Sequence, residues 1–222
     1  MRRAGHSLTR RWLRERKRDA YYRLAKEEGY RSRAAYKLLQ TVKKYRFIGE
    51  GDVAVDLGAM PGGWMQVARE LVGEGGYVLG VDTEPIKPFG WPNVRSIIGD
   101  ITDPECLDLI QEKLPRRADA VLSDVSPNIS GIWEVDHARQ IDLARASLRI
   151  AINVLCPGGS FFVKVFQGDL FMDFVGEVKR YFDFVKVVKP KASRRKSSEA
   201  YVWALGLLSP PRNKLESGQA FD

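Results

Sequence analysis

Residues 53–70 read VAVDLGAMPGGWMQVARE, and how this stretch is read decides the fold. An apolar run closes on Asp56, glycines follow at 58, 62 and 63, and Trp64, Val67, Ala68 and Leu71 then recur at helical spacing. The pattern predicts strand, tight turn and helix. At the carboxyl end of the first strand of an α/β sheet, a glycine turn lets a ligand approach backbone N–H groups and a helix N-terminus without obstruction by Cβ atoms. A nucleoside-bearing cofactor is therefore expected. The glycines do not follow the G-x-G-x-x-G order of a dinucleotide fold, and no Lys-Ser or Lys-Thr follows them as in a phosphate-binding P-loop. Asp56 on the first strand and Asp82 at the end of the second (YVLGVD) would repel a polyphosphate, yet suit ribose hydroxyls and a cationic or amino-acid portion. S-adenosylmethionine is such a ligand.

Outward from this stretch the chain alternates between two periodicities. Strands are expected at 53–57, 77–82, 94–99, 119–124, 160–166, 184–188 and 200–207, and helices at 63–72, 104–113, 137–155 and 169–181. Strands joined by helices predict the α/β class: a mostly parallel seven-stranded sheet with helices on both faces, binding ligands beyond the carboxyl ends of its strands. The last two strands are joined by a basic loop without a helix and are expected to pair antiparallel. Ahead of the first strand, apolar spacing predicts two short helices broken at Gly29, with Ser32 as N-cap of the second, which carries Lys37. A chain of 222 residues, 44% hydrophobic, supports one sizeable core. One domain is expected over 19–208, between a basic, flexible extension (1–18) and a flexible tail (209–222).

Composition narrows the function classes. Cys106 and Cys156 make neither a disulfide framework nor a metal-ligand spacing, and are expected as small core residues in a reducing compartment. The opening MRRAGHSLTRRW lacks the apolar core of a signal peptide and no run reaches the length of a membrane span, so a cytoplasmic monomer without a membrane partner is expected. The net charge of +8 is unevenly divided: residues 1–46 hold 16 Lys and Arg against 4 Asp and Glu, while the remainder hold 20 against 24. A second basic cluster comprises Lys186, Lys189, Lys191, Arg194, Arg195 and Lys196, with no acid between Asp183 and Glu199. Two basic segments flanking a near-neutral body predict a polyanion guided toward the cofactor cleft, with Arg31, Arg33, Arg194, Arg195 and Lys196 as candidate contacts for it.

Asp82, Asp100 (IIGDITD) and Asp124 (AVLSDVSPN) close three successive strands on one sheet edge, in register with the glycine turn, and form a candidate set for ribose, adenine amine and methionine amine. Lys164 is the most telling single residue. It sits in GSFFVKVFQG, whose unalternating apolar neighbours mark a strand covered on both faces. Burial disfavours an ammonium, and an amine that is partly neutral can act as a general base. Glu199 opens the run AYVWALG, where its carboxylate could hydrogen-bond that lysine, and Tyr201 is expected as a core aromatic.

The motifs SRAAYKL, VDLGAMPGGW, GD at 99–100, SDVSPNISG, LCPGGSFFVKVFQG and SSEAYVWALG, in this order from Asp19 to Leu208, resemble the FtsJ-like ribosomal RNA large-subunit (uridine 2′-O) methyltransferase family. The resemblance implies a Rossmann-like S-adenosylmethionine-dependent methyltransferase fold and a Lys-Asp-Lys-Glu tetrad at Lys37, Asp124, Lys164 and Glu199. It also implies cofactor contacts at Gly62, Trp64, Asp82, Asp100 and Asp124, and no metal. Met60 stands where the family usually has a smaller residue, and Ser126 where an alanine is common. The implied reaction is methylation of a ribose 2′-hydroxyl in large-subunit (23S) ribosomal RNA, with RNA rather than DNA as partner. A transfer-RNA anticodon-loop enzyme and a non-catalytic RNA-binding assembly protein are the alternatives.

Overall fold

The computed structural model describes residues 19–194 and 196–208. The expectations for 1–18, for 209–222 and for Arg195 lie outside the described residues.

Seven strands, β1 (Val53–Leu57), β2 (Tyr77–Asp82), β3 (Val94–Ile98), β4 (Ala118–Ser123), β5 (Leu155–Phe166), β6 (Phe182–Val188) and β7 (Glu199–Leu207), form one sheet in the order β3-β2-β1-β4-β5-β7-β6. The first five strands run parallel, and β7 is antiparallel to both β5 and β6. The expected antiparallel pair is present, with β7 placed between β5 and the edge strand β6. Strand order reverses between β1 and β4, so the crevice beyond their carboxyl ends is a topological switch point.

Among the described residues the helices are α1 (Ala20–Glu27), α2 (Ala35–Tyr45), α3 (Gly63–Val72), α4 (Pro104–Lys113), α5 (Trp133–Val154) and α6 (Phe171–Val178), of which α1 packs against α2. One core holds Ile110 of α4, Ile141 and Ile150 of α5 and Phe174 of α6 against the sheet. The other holds Leu38 and Val42 of α2 with Trp64, Met65 and Val67 of α3, and its centre is a stack of Trp64, Phe162 and Tyr201. The two apolar faces explain why β1, β4 and the second half of β5 are buried without alternation.

Three local expectations are corrected. Helix α2 begins at Ala35, and its N-cap, Ala34, makes no side-chain cap bond. Ser32 instead lies against Gly63, where a Cβ would strike its hydroxyl, so side-chain capping yields to the close approach of this segment to α3. Helix α5 starts at Trp133, ahead of the expected residue 137, because the Asp136 carboxylate turns back to accept from the Ser130 amide (2.8 Å), the Ser130 hydroxyl (2.7 Å) and the Gly131 amide (3.1 Å). Helix α6 is shorter than expected at both ends. Of the two free cysteines Cys106 is buried, whereas Cys156 is half-buried beside Asp119 rather than in the core.

Candidate active site

Gly58 and Gly62 both take positive φ, +72° and +105°, which an L side chain adopts at a cost. A Cβ at Gly58 would come within 3.0 Å of the Val125 backbone and closer still to its side chain, so only glycine lets β1 turn here against the loop after β4. Gly62 caps α3 without a side chain. Its loop is held from outside by Arg31, whose guanidinium donates to the carbonyls of Pro61, Lys87 and Pro88 and lies 3.6 Å from the Phe89 ring centroid.

A cavity of about 450 Å³ opens beyond the switch point, lined by Gly58, Met60, Asp82, Asp100, Asp124 and Asn128 among others, with no lysine, arginine or histidine in its wall. Asp82 accepts from the Met60 amide (2.9 Å) and the Glu84 amide (3.0 Å), leaving further lone pairs for a ligand. Asp100 accepts from the Thr102 hydroxyl and amide, which hold its carboxyl below the usual range. Asp82 and Asp100, without a counter-cation among the described residues, fit a ligand of hydroxyls and positive charge, as S-adenosylmethionine is, and disfavour a polyphosphate.

Asp82, Asp100 and Asp124 thus lie in this wall, whereas Gly62 and Trp64 do not. The Trp64 indole is buried and donates to the Ala34 carbonyl (2.7 Å), fastening α3 to α2. Asp56 is also absent from the wall. It is 1% exposed, both its oxygens lack hydrogen-bond partners, and burial, reinforced by the Asp124 and Asp82 carboxylates, raises it well above the usual range. Burial behind the loop thus favours its protonated form.

Register assembles the second half of the site. Ser123 pairs with Val163 across β4 and β5, which sets Asp124 beside Lys164. Across β5 and β7, Lys164 pairs with Tyr201 and Phe166 with Glu199. Helix α2 lies over β7 and brings Lys37 down onto the same group. Lys164, 4% exposed, donates to the Asp124 carbonyl (2.6 Å) and to the Ser126 hydroxyl, and its Nζ lies 3.3 Å from Asp124 Oδ1. Lys37 Nζ lies 2.8 Å from Glu199 Oε2 and 3.7 Å from Asp124 Oδ2. Burial opposes ionisation of Asp124, but the Lys164 and Lys37 ammonium groups outweigh it and hold the carboxyl below its ordinary value.

The four residues therefore meet, with one change from the expected pairing: Glu199 binds Lys37, not Lys164. The antiparallel register is the reason, since it sets Glu199 two pairs beyond Lys164 and directly under α2. Three further groups complete the cluster. The Tyr201 hydroxyl donates to Asp124 Oδ1 (2.7 Å), the Ser193 hydroxyl donates to Glu199 Oε1 (2.8 Å), and Ser126 is the acceptor already described. Tyr201 is fully buried, as expected of a core aromatic, but its polar end reaches the site. Ser193 carried no signal beyond its place in a basic loop.

On the side of Glu199 lies a second opening of about 270 Å³, lined by Arg33, Ala34, Lys37, Arg194, Ser197 and Glu199. The cluster thus separates an acidic cavity from a basic one, and Asp124 faces the acidic cavity while contacting both lysines. Of the cations expected to meet RNA, Arg31 is engaged with carbonyls as described, and Arg33 is bound to Asp19 and to the Ala192 carbonyl. Arg194 and Lys196 are exposed.

Comparison with known proteins gives a consistent answer. Residues 30–207 match the family model for FtsJ-like methyltransferase. A relative in Methanocaldococcus jannaschii named ribosomal RNA large subunit methyltransferase E is 52% identical over 198 residues, 88% of this chain and 81% of its own length. One of the same name in Methanothrix thermoacetophila is 56% identical over 204 residues, 92% of this chain and 77% of its own. A crystal structure from Plasmodium falciparum described as a ribosomal RNA methyltransferase superposes with a TM-score of 0.72 at 28% identity, covering 82% of this chain and all of its own. A Streptococcus mutans protein described as a methyltransferase and solved in complex with SAH shares the fold alone, with a TM-score of 0.51 at 14% identity over 76% of this chain and 95% of its own.

Proposed function

The chain belongs to the FtsJ-like methyltransferase family, and from that premise we propose that it methylates a ribose 2′-hydroxyl of large-subunit ribosomal RNA with S-adenosylmethionine as donor, a uridine being the target. One observation carries the reading: Asp124 forms part of the wall of a cavity suited to a cationic nucleoside and simultaneously contacts Lys37 and Lys164. Relatives named for ribosomal RNA, together with four filled tetrad positions, favour this substrate over transfer RNA or a non-catalytic role.

Asp82 and Asp100 would hold the bound donor by its hydroxyl and amino groups. That donor supplies an electrophilic methyl group on a sulfonium sulfur. A ribose hydroxyl is a poor nucleophile until its proton is removed, and Lys164 is the base. The base is its unprotonated form, which keeps two N–H donors for the Asp124 carbonyl and Ser126 and leaves a lone pair for the hydroxyl. The hydroxyl proton would pass to Lys164, whose new charge Asp124 would stabilise, and the 2′-oxygen would be free to accept the methyl group that the bound donor would supply. Lys37, anchored by Glu199, carries the positive charge that orients the nucleophilic oxygen.

Lys164→Ala is expected to lower turnover about 10²- to 10⁴-fold, the usual contribution of general acid–base catalysis, while cofactor affinity measured by calorimetry stays unchanged. The assay is methyl transfer to large-subunit RNA lacking the modification, followed by mapping of the methylated ribose. Undiminished turnover in the variant would remove Lys164 from the mechanism.

A further inference from the structure

A second basic surface lies about two helical turns along α2 from Lys37 of the tetrad. A groove of about 670 Å³ runs between the outer face of α2 and the end of the edge strand β6, and its wall includes Lys43, Lys44, Tyr45, Val187, Lys189 and Lys191 but no acid. Lys43, Lys44, Lys186, Lys189 and Lys191 are exposed, and none of them forms an ion pair among the described residues. Lys44 and Lys186 each hold Nζ 5.2 Å from the Tyr45 ring centroid, and that ring is stacked on Trp203 at 4.5 Å. The aromatic pair thus fixes two ammonium groups on one wall without neutralising either.

The groove adjoins the opening beside Glu199. Lys189, in the groove wall, donates to the carbonyl of Ser197 (2.7 Å), and Ser197 lines that opening. Gln40, on α2 between Lys37 and Lys43, lines the groove and accepts from the Ala192 amide (3.0 Å). From Lys37 to Lys44 the helix rises about 10 Å. Lys164 is 4% exposed, so a ribose reaching it must be drawn out of any duplex, and the strand next to it is unpaired.

We infer that this groove holds the sugar–phosphate backbone of single-stranded RNA adjoining the target nucleotide, entering past Lys37 and running along α2 toward Tyr45. The inference rests on the proposed function for the direction of the strand, and on charge complementarity for its occupant. Because the contacts are lysines without acidic partners among the described residues, the groove reads phosphate and not sequence.

The test uses the full chain and two probes, a labelled single-stranded oligouridylate and a paired RNA duplex of equal length, each titrated over a series of salt concentrations. One variant replaces Lys43, Lys44, Lys186 and Lys191 with Gln. A control replaces Lys87, Lys113, Lys179 and Arg180 with Gln. For the single strand, the slope of log affinity against log salt is expected to fall by about 0.7 for each groove lysine that meets a phosphate, with a smaller change for the duplex. The control variant is expected to keep the slope, and cofactor affinity should be unchanged in both. An unaltered slope in the groove variant, an equal loss in the control, or an equal loss for the duplex would overturn the inference. A wild-type chain that shows the groove-dependent slope yet transfers no methyl group to large-subunit RNA would overturn the proposed function and leave the groove standing.

Discussion

Single residues here differ in how openly they declare their roles. Lys164 stands out as a charge within GSFFVKVF, and the structure gives it three acceptors, of which two come from Asp124. Ser126 shows only as a substitution in a motif, yet its hydroxyl is the third acceptor. Asp56 reads as a ligand residue because it ends an apolar strand, whereas the fold seals it behind the glycine loop. Its raised pKa makes a specific prediction. Below the ordinary carboxylate range the folded and unfolded chains are both protonated at this position. As pH rises only the unfolded chain ionises, so wild-type stability declines until the folded carboxyl also titrates. Asp56→Asn removes that decline. The stability gained by the variant should therefore grow as pH rises above the ordinary carboxylate range, by at most about 1.4 kcal/mol per pH unit, measured by denaturant titration at several pH values. A pH-independent difference would show that Asp56 is ionised in the fold.

Elements are read well where period and turn chemistry agree. The strand–turn–helix of 53–72 is present as expected, and its turn depends on the left-handed backbone of Gly58 against Val125. Gly58→Ala is expected to cost about 1–2 kcal/mol in thermal unfolding and to weaken cofactor binding in calorimetry, because the loop must shift to clear Val125. Gly75→Ala, where an added Cβ meets nothing within 4 Å, should be neutral in both. Helix starts are less legible. The first turn of α5 is held by Asp136 from inside the helix, and α2 by packing rather than by Ser32, so in neither case does the residue before the helix announce it.

At the scale of the molecule, Phe162 joins what the chain separates. It is fully buried at the centre of the α2–α3 core and stacks on Tyr201 at 4.7 Å and on Trp64 at 5.6 Å, on the strand that carries Lys164 and two residues before it. Phe162→Ala should cost about 3–5 kcal/mol in denaturant titration, a large share of a typical domain's stability of about 5–15 kcal/mol. A loss below 1 kcal/mol would show that the core closes over the gap. The sequence by itself determined the α/β class, the parallel run of the early strands and the glycine turn, and marked Lys164 as a candidate, because local periodicity and a costly charge in an apolar strand are visible without neighbours; Lys37, Asp124 and Glu199 were candidates for the tetrad through the family resemblance. Only the tertiary structure decided that Glu199 pairs with Lys37, that Asp124 lines the acidic cavity while contacting both lysines, that Arg31 clamps a loop and that Asp56 is buried. Each of these depends on strand register and on which helix lies over which strand, and those relations hold between residues as many as 162 positions apart.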